Sequence, residues 1–123
     1  MTVSGIKQVV LEVEDQDRAL AFWTGAMGFD LAYDGRSGGE RWLEVRTPDH
    51  GVTVVLRQGE PSTASDGLPI SNVFFHCEDL PRTYEELRAR GVGFPQPPVR
   101  QPFGWWSMFE DSDGKRFPLT SPD

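Results

Sequence analysis

Shifted by 64 residues, the first half of this chain falls on its second half. Glu14-Asp15 lands on Glu78-Asp79, Arg18 on Arg82, Arg36 on Arg100, Trp42 on Trp106 and Asp49 on Asp113. The identities are few, but they sit at the punctuation of the chain, as expected when one supersecondary unit has been duplicated. Each half opens on a β-rich run, residues 6–13 and 72–77, in which apolar and other residues partly alternate, and each run ends in Glu-Asp. Helical spacing follows, through Ala19, Phe22, Trp23 and Ala26 in one half and Tyr84, Leu87 and Arg88 in the other, with Asp15 and Asp79 as N-caps. Gly28 and Gly91 stand where the helices should stop. The chain then returns as strands. Residues 42–46 and 52–57 flank the turn 47–51, and residues 106–110 and 116–120 flank the turn 111–115.

The length of 123 residues suits one domain with a real core. Residues 59–69, rich in Ser, Pro, Thr, Asp and Gly, read as a linker between a first module at 5–58 and a second at 70–121 within a single domain, 1–123. The proline-rich run 95–102 excludes a helix or a central strand and predicts an edge or a mobile rim of the cavity. A lone cysteine, Cys77, forms no internal disulfide, and the N-terminal residues lack a secretory pattern, so a cytoplasmic protein is expected. No apolar run is long enough for a membrane-spanning helix. The net charge of −7 argues against nucleic acid as a partner; it serves solubility or attracts cationic small molecules.

With the modules laid out, three stretches of the first resemble a known family: 8–15 (Gln-Val-Val-Leu-Glu-Val-Glu-Asp), then 18–23 (Arg-Ala-Leu-Ala-Phe-Trp), then Met27-Gly28-Phe29. The second module repeats the pattern through 72–80, 84–92 and 109–117. This is similar to the glyoxalase, bleomycin-resistance and extradiol-dioxygenase (vicinal oxygen chelate) superfamily, and the likeness spans nearly the whole chain. It implies an α+β fold of two tandem βαβββ modules whose curled mixed sheets enclose a ligand cavity, and a homodimer as the assembly.

Metal-dependent members of that superfamily place His or Gln on the first strand of each module and Glu on the last. By the resemblance those positions are Gln8, Val54, Asn72 and Pro118. Valine and proline offer no side-chain donor, and two neutral amides bind a transition ion weakly. No metal and no cofactor are therefore expected, which puts in doubt the family reactions that need a Lewis acid or an oxygen-activating centre.

Strand parity names what should line the cavity instead. Val9, Leu11 and Val13 belong to the core, leaving Gln8, Val10 and Glu12 inward; likewise Val73, Phe75 and Cys77 leave Asn72, Phe74 and His76. Leu43 and Val45 leave Trp42 and Glu44 inward, and the repeat adds Trp106 and Met108, with Phe103 and Trp105 as further aromatic candidates. Aromatic faces beside Glu12 or Glu44 suit a planar or cationic ligand. The same tryptophans also suit core packing or a dimer interface. Glu12 and His76 are mates under the repeat and are weak candidates for an acid–base pair, with the alternative that each is an ordinary structural or solvated group. His50 reads as a solvated turn residue, and Arg41, Arg46, Arg57 and Arg116 as strand-face charges.

The sequence points first to a metal-free small-molecule binding protein of the glyoxalase/bleomycin-resistance type, taking an aromatic or cationic ligand, with antibiotics, and so antibiotic resistance, among the candidates. Two alternatives stay open. One is an enzyme, either a metal-dependent lyase or dioxygenase-like relative with relocated ligands or an acid–base catalyst using Glu12 and His76; the other is a partner domain whose cavity its own tryptophans fill.

Overall fold

The computed structural model describes residues 2–60 and 71–123. Two compact units divide the chain, Met1–Pro61 and Ser62–Asp123, so most of the expected linker lies outside the described residues. The first unit runs β1 (Gln8–Val13), α1 (Gln16–Ala21) continuing as a π-helical turn (Phe22–Ala26), β2 (Asp30–Ser37), β3 (Glu40–Arg46) and β4 (Thr53–Gln58). The second runs β5 (Phe75–His76), α2 (Leu80–Ala89), β6 (Val99–Gln101), β7 (Gly104–Glu110) and β8 (Arg116–Ser121). Among the described residues each unit has one four-stranded mixed sheet, in the orders β1-β4-β3-β2 and β5-β8-β7-β6. The α+β fold of paired βαβββ modules is as expected, and the sheets are open rather than closed barrels. The proline-rich run supplies β6, an edge strand, because proline cannot donate to a ladder on both sides.

Both helices begin where the caps predict. Asp15 accepts from the Arg18 amide at 3.1 Å and Asp79 from the Arg82 amide at 3.2 Å, each satisfying a donor the helix cannot. Beyond α1 the bonding widens, with the Met27 amide reaching the Phe22 carbonyl at 3.1 Å; this one extra residue per turn carries Trp23 into full burial beside Phe29. The chain then turns at Gly28 and, after α2, at Gly91, both with positive φ.

One face of each sheet packs on its helix. In the first unit Leu11, Val13, Leu43, Val45, Val54 and Leu56 are buried with Ala19 and Trp23. Gln16, itself buried, ties α1 to the sheet by donating to the carbonyls of Leu56 and Arg41. In the second unit Phe109 stacks on Phe117 with centroids 5.5 Å apart, and Phe75 sets its ring at an angle to both. Leu80, Leu87 and Leu119 complete that core, and the Leu80 amide donates to Ser121 Oγ at 3.0 Å where α2 meets β8.

Two expectations about strands are corrected. The fifth strand is confined to Phe75–His76 rather than running from residue 72. Ser71 Oγ accepts from the Val73 amide at 2.9 Å, a local turn bond that competes with the ladder, so Asn72 and Phe74 precede the paired strand. The 64-residue repeat also fails in the last strand of the first unit. Six residues, 47–52, separate β3 from β4, whereas five, 111–115, separate β7 from β8. The two turns begin alike: the His50 amide bonds the Thr47 carbonyl, as the Gly114 amide bonds that of Asp111, and both residues have positive φ. The extra residue follows His50.

Candidate functional site

The helix-free face of each sheet is where the sequence places its candidate ligand groups, and cross-strand register decides who stands on it. In the first sheet Gln8 pairs with Thr53, Val10 with Val55 and Glu12 with Arg57, while Glu44 faces Val55 from β3. Gln8, Val10, Glu12, Trp42 and Glu44 therefore share that face. Val54 does not. It pairs with Val9 and Val45 on the helix side, and Val55 takes its place, because the longer turn shifts β4 by one residue against the repeat. In a strand buried on both faces, composition gave no alternation to reveal the slip.

Charges on this face are partnered unevenly. Arg57 bonds Glu40 at 3.1 Å and lies 3.6 Å from Glu12, and Glu40 beside it raises the guanidinium's pKa above its ordinary range. Glu12 thus shares this face with a guanidinium at ion-pair distance. Glu44 instead accepts the indole N–H of Trp42 at 2.7 Å. The Gln8 amide oxygen is closed to water and has no hydrogen-bond partner among the described residues.

The second sheet is aromatic. Met108 pairs with Pro118, Trp106 with both Thr120 and Val99, and His76 with Thr120, so Trp106, Met108, Pro118 and His76 lie on one helix-free face. Phe74 meets the Trp106 ring at 5.8 Å and Phe103 meets it at 6.4 Å, both edge-on. Phe74 and Phe103 remain 60% and 62% exposed. Trp105, considered for this wall, falls on the opposite side with Ser107 and Phe109, as alternation along β7 requires. His76 is exposed on the helix-free face. His50 is exposed but not merely solvated: its Nε2 lies 3.1 Å from Asp30 Oδ2. Of the arginines, Arg41 reaches the helix side, joining Asp34 on β2 to Asp17 on α1.

The metal positions implied by the resemblance become Gln8, Val55, Asn72 and Pro118. Valine and proline still bring no donor, Asn72 is exposed outside β5, and no cluster of three His, Cys, Asp or Glu among the described residues could hold a metal ion. These residues do not fit a divalent ion of the N/O type.

Sequence reasoning missed Tyr33. It stands opposite Glu44, on the helix-free face, because a register irregularity at Ala32 lets Leu31 face Val45 on the helix side only two residues earlier. No periodicity argument crosses such a bulge. The nearest signal was the Gly35 that follows it.

Paired βαβββ modules, each offering one polar and aromatic sheet face, define a protein of the vicinal-oxygen-chelate architecture. The chain belongs to the Glyoxalase/Bleomycin resistance protein/Dioxygenase superfamily, whose family model matches residues 5–119. It is 36% identical over 118 residues to YetH of Bacillus subtilis strain 168, covering 95% of this chain and 98% of that one. Among solved structures it is similar to UcmS2 (34% identity, TM-score 0.82, 97% and 98% of the two chains). It is also similar to TnmS3, an antibiotic binding protein from Streptomyces sp. CB03234 (28% identity, TM-score 0.84, 100% and 99%). No helix among the described residues is long and apolar enough to cross a membrane.

Proposed function

We propose that this protein binds a small aromatic or cationic molecule, an antibiotic among the candidates, without a metal and without transforming it. The observation that carries this reading is the exposed aromatic group of Phe74, Phe103 and Trp106 on the helix-free face of the second sheet. Large exposed rings cost free energy in water, and edge-on neighbours leave the Trp106 ring able to stack on a planar guest. The likeness to TnmS3 agrees with a binding role. On this reading Gln8, Val10, Glu12, Trp42, Glu44, Phe74, His76, Trp106, Met108 and Pro118 contribute to recognition. The two units act as one domain, and the chain works in the cytoplasm as a homodimer.

The test is tryptophan fluorescence titration with a panel of planar polycyclic compounds, neutral and cationic, before and after treatment with a chelator. Saturable quenching that survives the chelator and is lost in Trp106→Ala is the expected result. Quenching by no compound, or only with added zinc, nickel, manganese or ferrous iron, would overturn it. Light scattering that returns the mass of one chain would remove the dimer.

A further inference from the structure

The helix-free face of the first sheet holds an aromatic and acidic corner that differs in kind from the aromatic face of the second. Tyr33 on β2 stands opposite Glu44 on β3, and Gly35 stands opposite Trp42. A Cβ placed on Gly35 would come within 2.7 Å of Tyr33 Cζ. The Tyr33 ring thus lies in the space that any larger residue at position 35 would fill, and it covers the position facing Trp42. Tyr33 is nevertheless 49% exposed. Trp42 and Glu44 are half-buried, and the 2.7 Å bond from the indole N–H holds Glu44 Oε2 beside the ring. That bond employs one carboxylate oxygen and leaves the other. Arg57 is taken by Glu40 and Glu12, and Arg46, the next residue along this face of β3, forms no ion pair with Glu44 among the described residues.

Two partly exposed aromatic rings beside a carboxylate that no cation among the described residues pairs with form an arrangement that attracts a weakly hydrated organic cation. Ring quadrupoles contribute cation–π attraction, strongest for Trp, and the carboxylate adds charge complementarity. A quaternary ammonium suits such a corner better than a primary amine. It has no N–H groups to satisfy, and its methyls offer apolar contact to both rings. Glu12, the other carboxylate considered for this task, is engaged by Arg57. We propose that Tyr33, Trp42 and Glu44, with Gly35 admitting the Tyr33 ring, form a subsite for the quaternary ammonium group of a ligand. This rests on the small-molecule binding reading and names a cationic group that the first unit would recognise.

The probe is choline, compared with its uncharged isostere in which carbon replaces the nitrogen. Binding is followed at the Trp42 indole N–H in a proton–nitrogen correlation spectrum, with the resonance assigned through Trp42→Phe. Choline should shift that resonance saturably and the isostere should not. Glu44→Gln should weaken choline binding about tenfold, and Tyr33→Leu should weaken it as well; should Glu44→Gln fail to fold, the exposed Tyr33 variant carries the test. Equal response to both probes, no response to either, or unchanged affinity in the folded variants would overturn the subsite. Planar neutral compounds titrated at Trp106 separate the two readings. If they bind and choline does not, this subsite alone falls; if choline binds and they do not, the subsite stands and the aromatic face loses its role.

Discussion

The side-chain amide nitrogen of Gln16 lies 2.8 Å from the carbonyl oxygen of Leu56, forty residues away, and also donates to the Arg41 carbonyl. One buried side chain at the start of α1 thereby satisfies backbone acceptors on two neighbouring strands. Gln16→Leu should cost about 1–3 kcal/mol, since it leaves buried carbonyls without a donor. Urea unfolding followed by circular dichroism would show the midpoint fall; an unchanged midpoint would mean that water replaces the amide.

Trp23 is fully buried, with the rings of Phe22 and Phe29 each 5.2 Å from its own. Trp23→Ala should destabilise by about 3–5 kcal/mol through lost contact and a residual cavity. Because Trp23 is screened from solvent, a soluble quencher such as acrylamide should reach Trp42 and Trp106 well before it.

Asp111 closes the β7–β8 turn by accepting from the amides of Asp113 and Lys115, both at 2.9 Å. Burial is the leading influence on its carboxyl and raises its pKa, outweighing those bonds. A carboxyl whose pKa is higher folded than unfolded binds its proton more tightly in the native state. Its contribution to stability is thus full below the unfolded pKa and declines as pH rises through the folded one. Asp111→Asn keeps an acceptor for both amides and removes that titration. The variant should gain on the natural protein as pH is raised from strongly acidic to neutral, measured by thermal melts at a series of pH values. A constant difference at every pH would rule the titration out.

Cys77 is half-buried, and desolvation, its largest influence, raises the thiol pKa above its ordinary value despite a bond with Thr83. It should react slowly with a disulfide reagent at mildly alkaline pH and readily once the protein is unfolded. Fast native labelling would show that the strand beside α2 opens often.

Much of this architecture was legible because its signals are local. The Asp15 and Asp79 caps, the glycines after each helix, and the alternation of Val9, Leu11, Val13 and of Leu43, Val45 each depend on a few adjacent residues. The errors arose where a distant event sets the face. Val54 was misplaced because a turn gained a residue, and Tyr33 was overlooked because β2 was not located in the sequence; the bulge at Ala32 would in any case have reversed its parity. Trp105 and Trp106 are chemically alike; alternation along β7 puts them on opposite faces, and Trp106, paired with Thr120, is the one on the free face. Glu12 illustrates a further limit, since no spacing rule foretells that Arg57, itself bonded to Glu40, would stand beside it.

The unequal turns, six residues in one module and five in the other, record how the halves have diverged. An insertion at the tip of a hairpin is absorbed there, while the ladder holds each strand to its partner. Length is thus free to drift in the turn while facing is not, and Val55 came to occupy the place that Pro118 holds in the other half. Numbering that treats the modules as exact copies therefore compares inside with outside along β4 and β8. Transplanting a ligand-binding residue from one half to the other works only when the hairpin is counted separately.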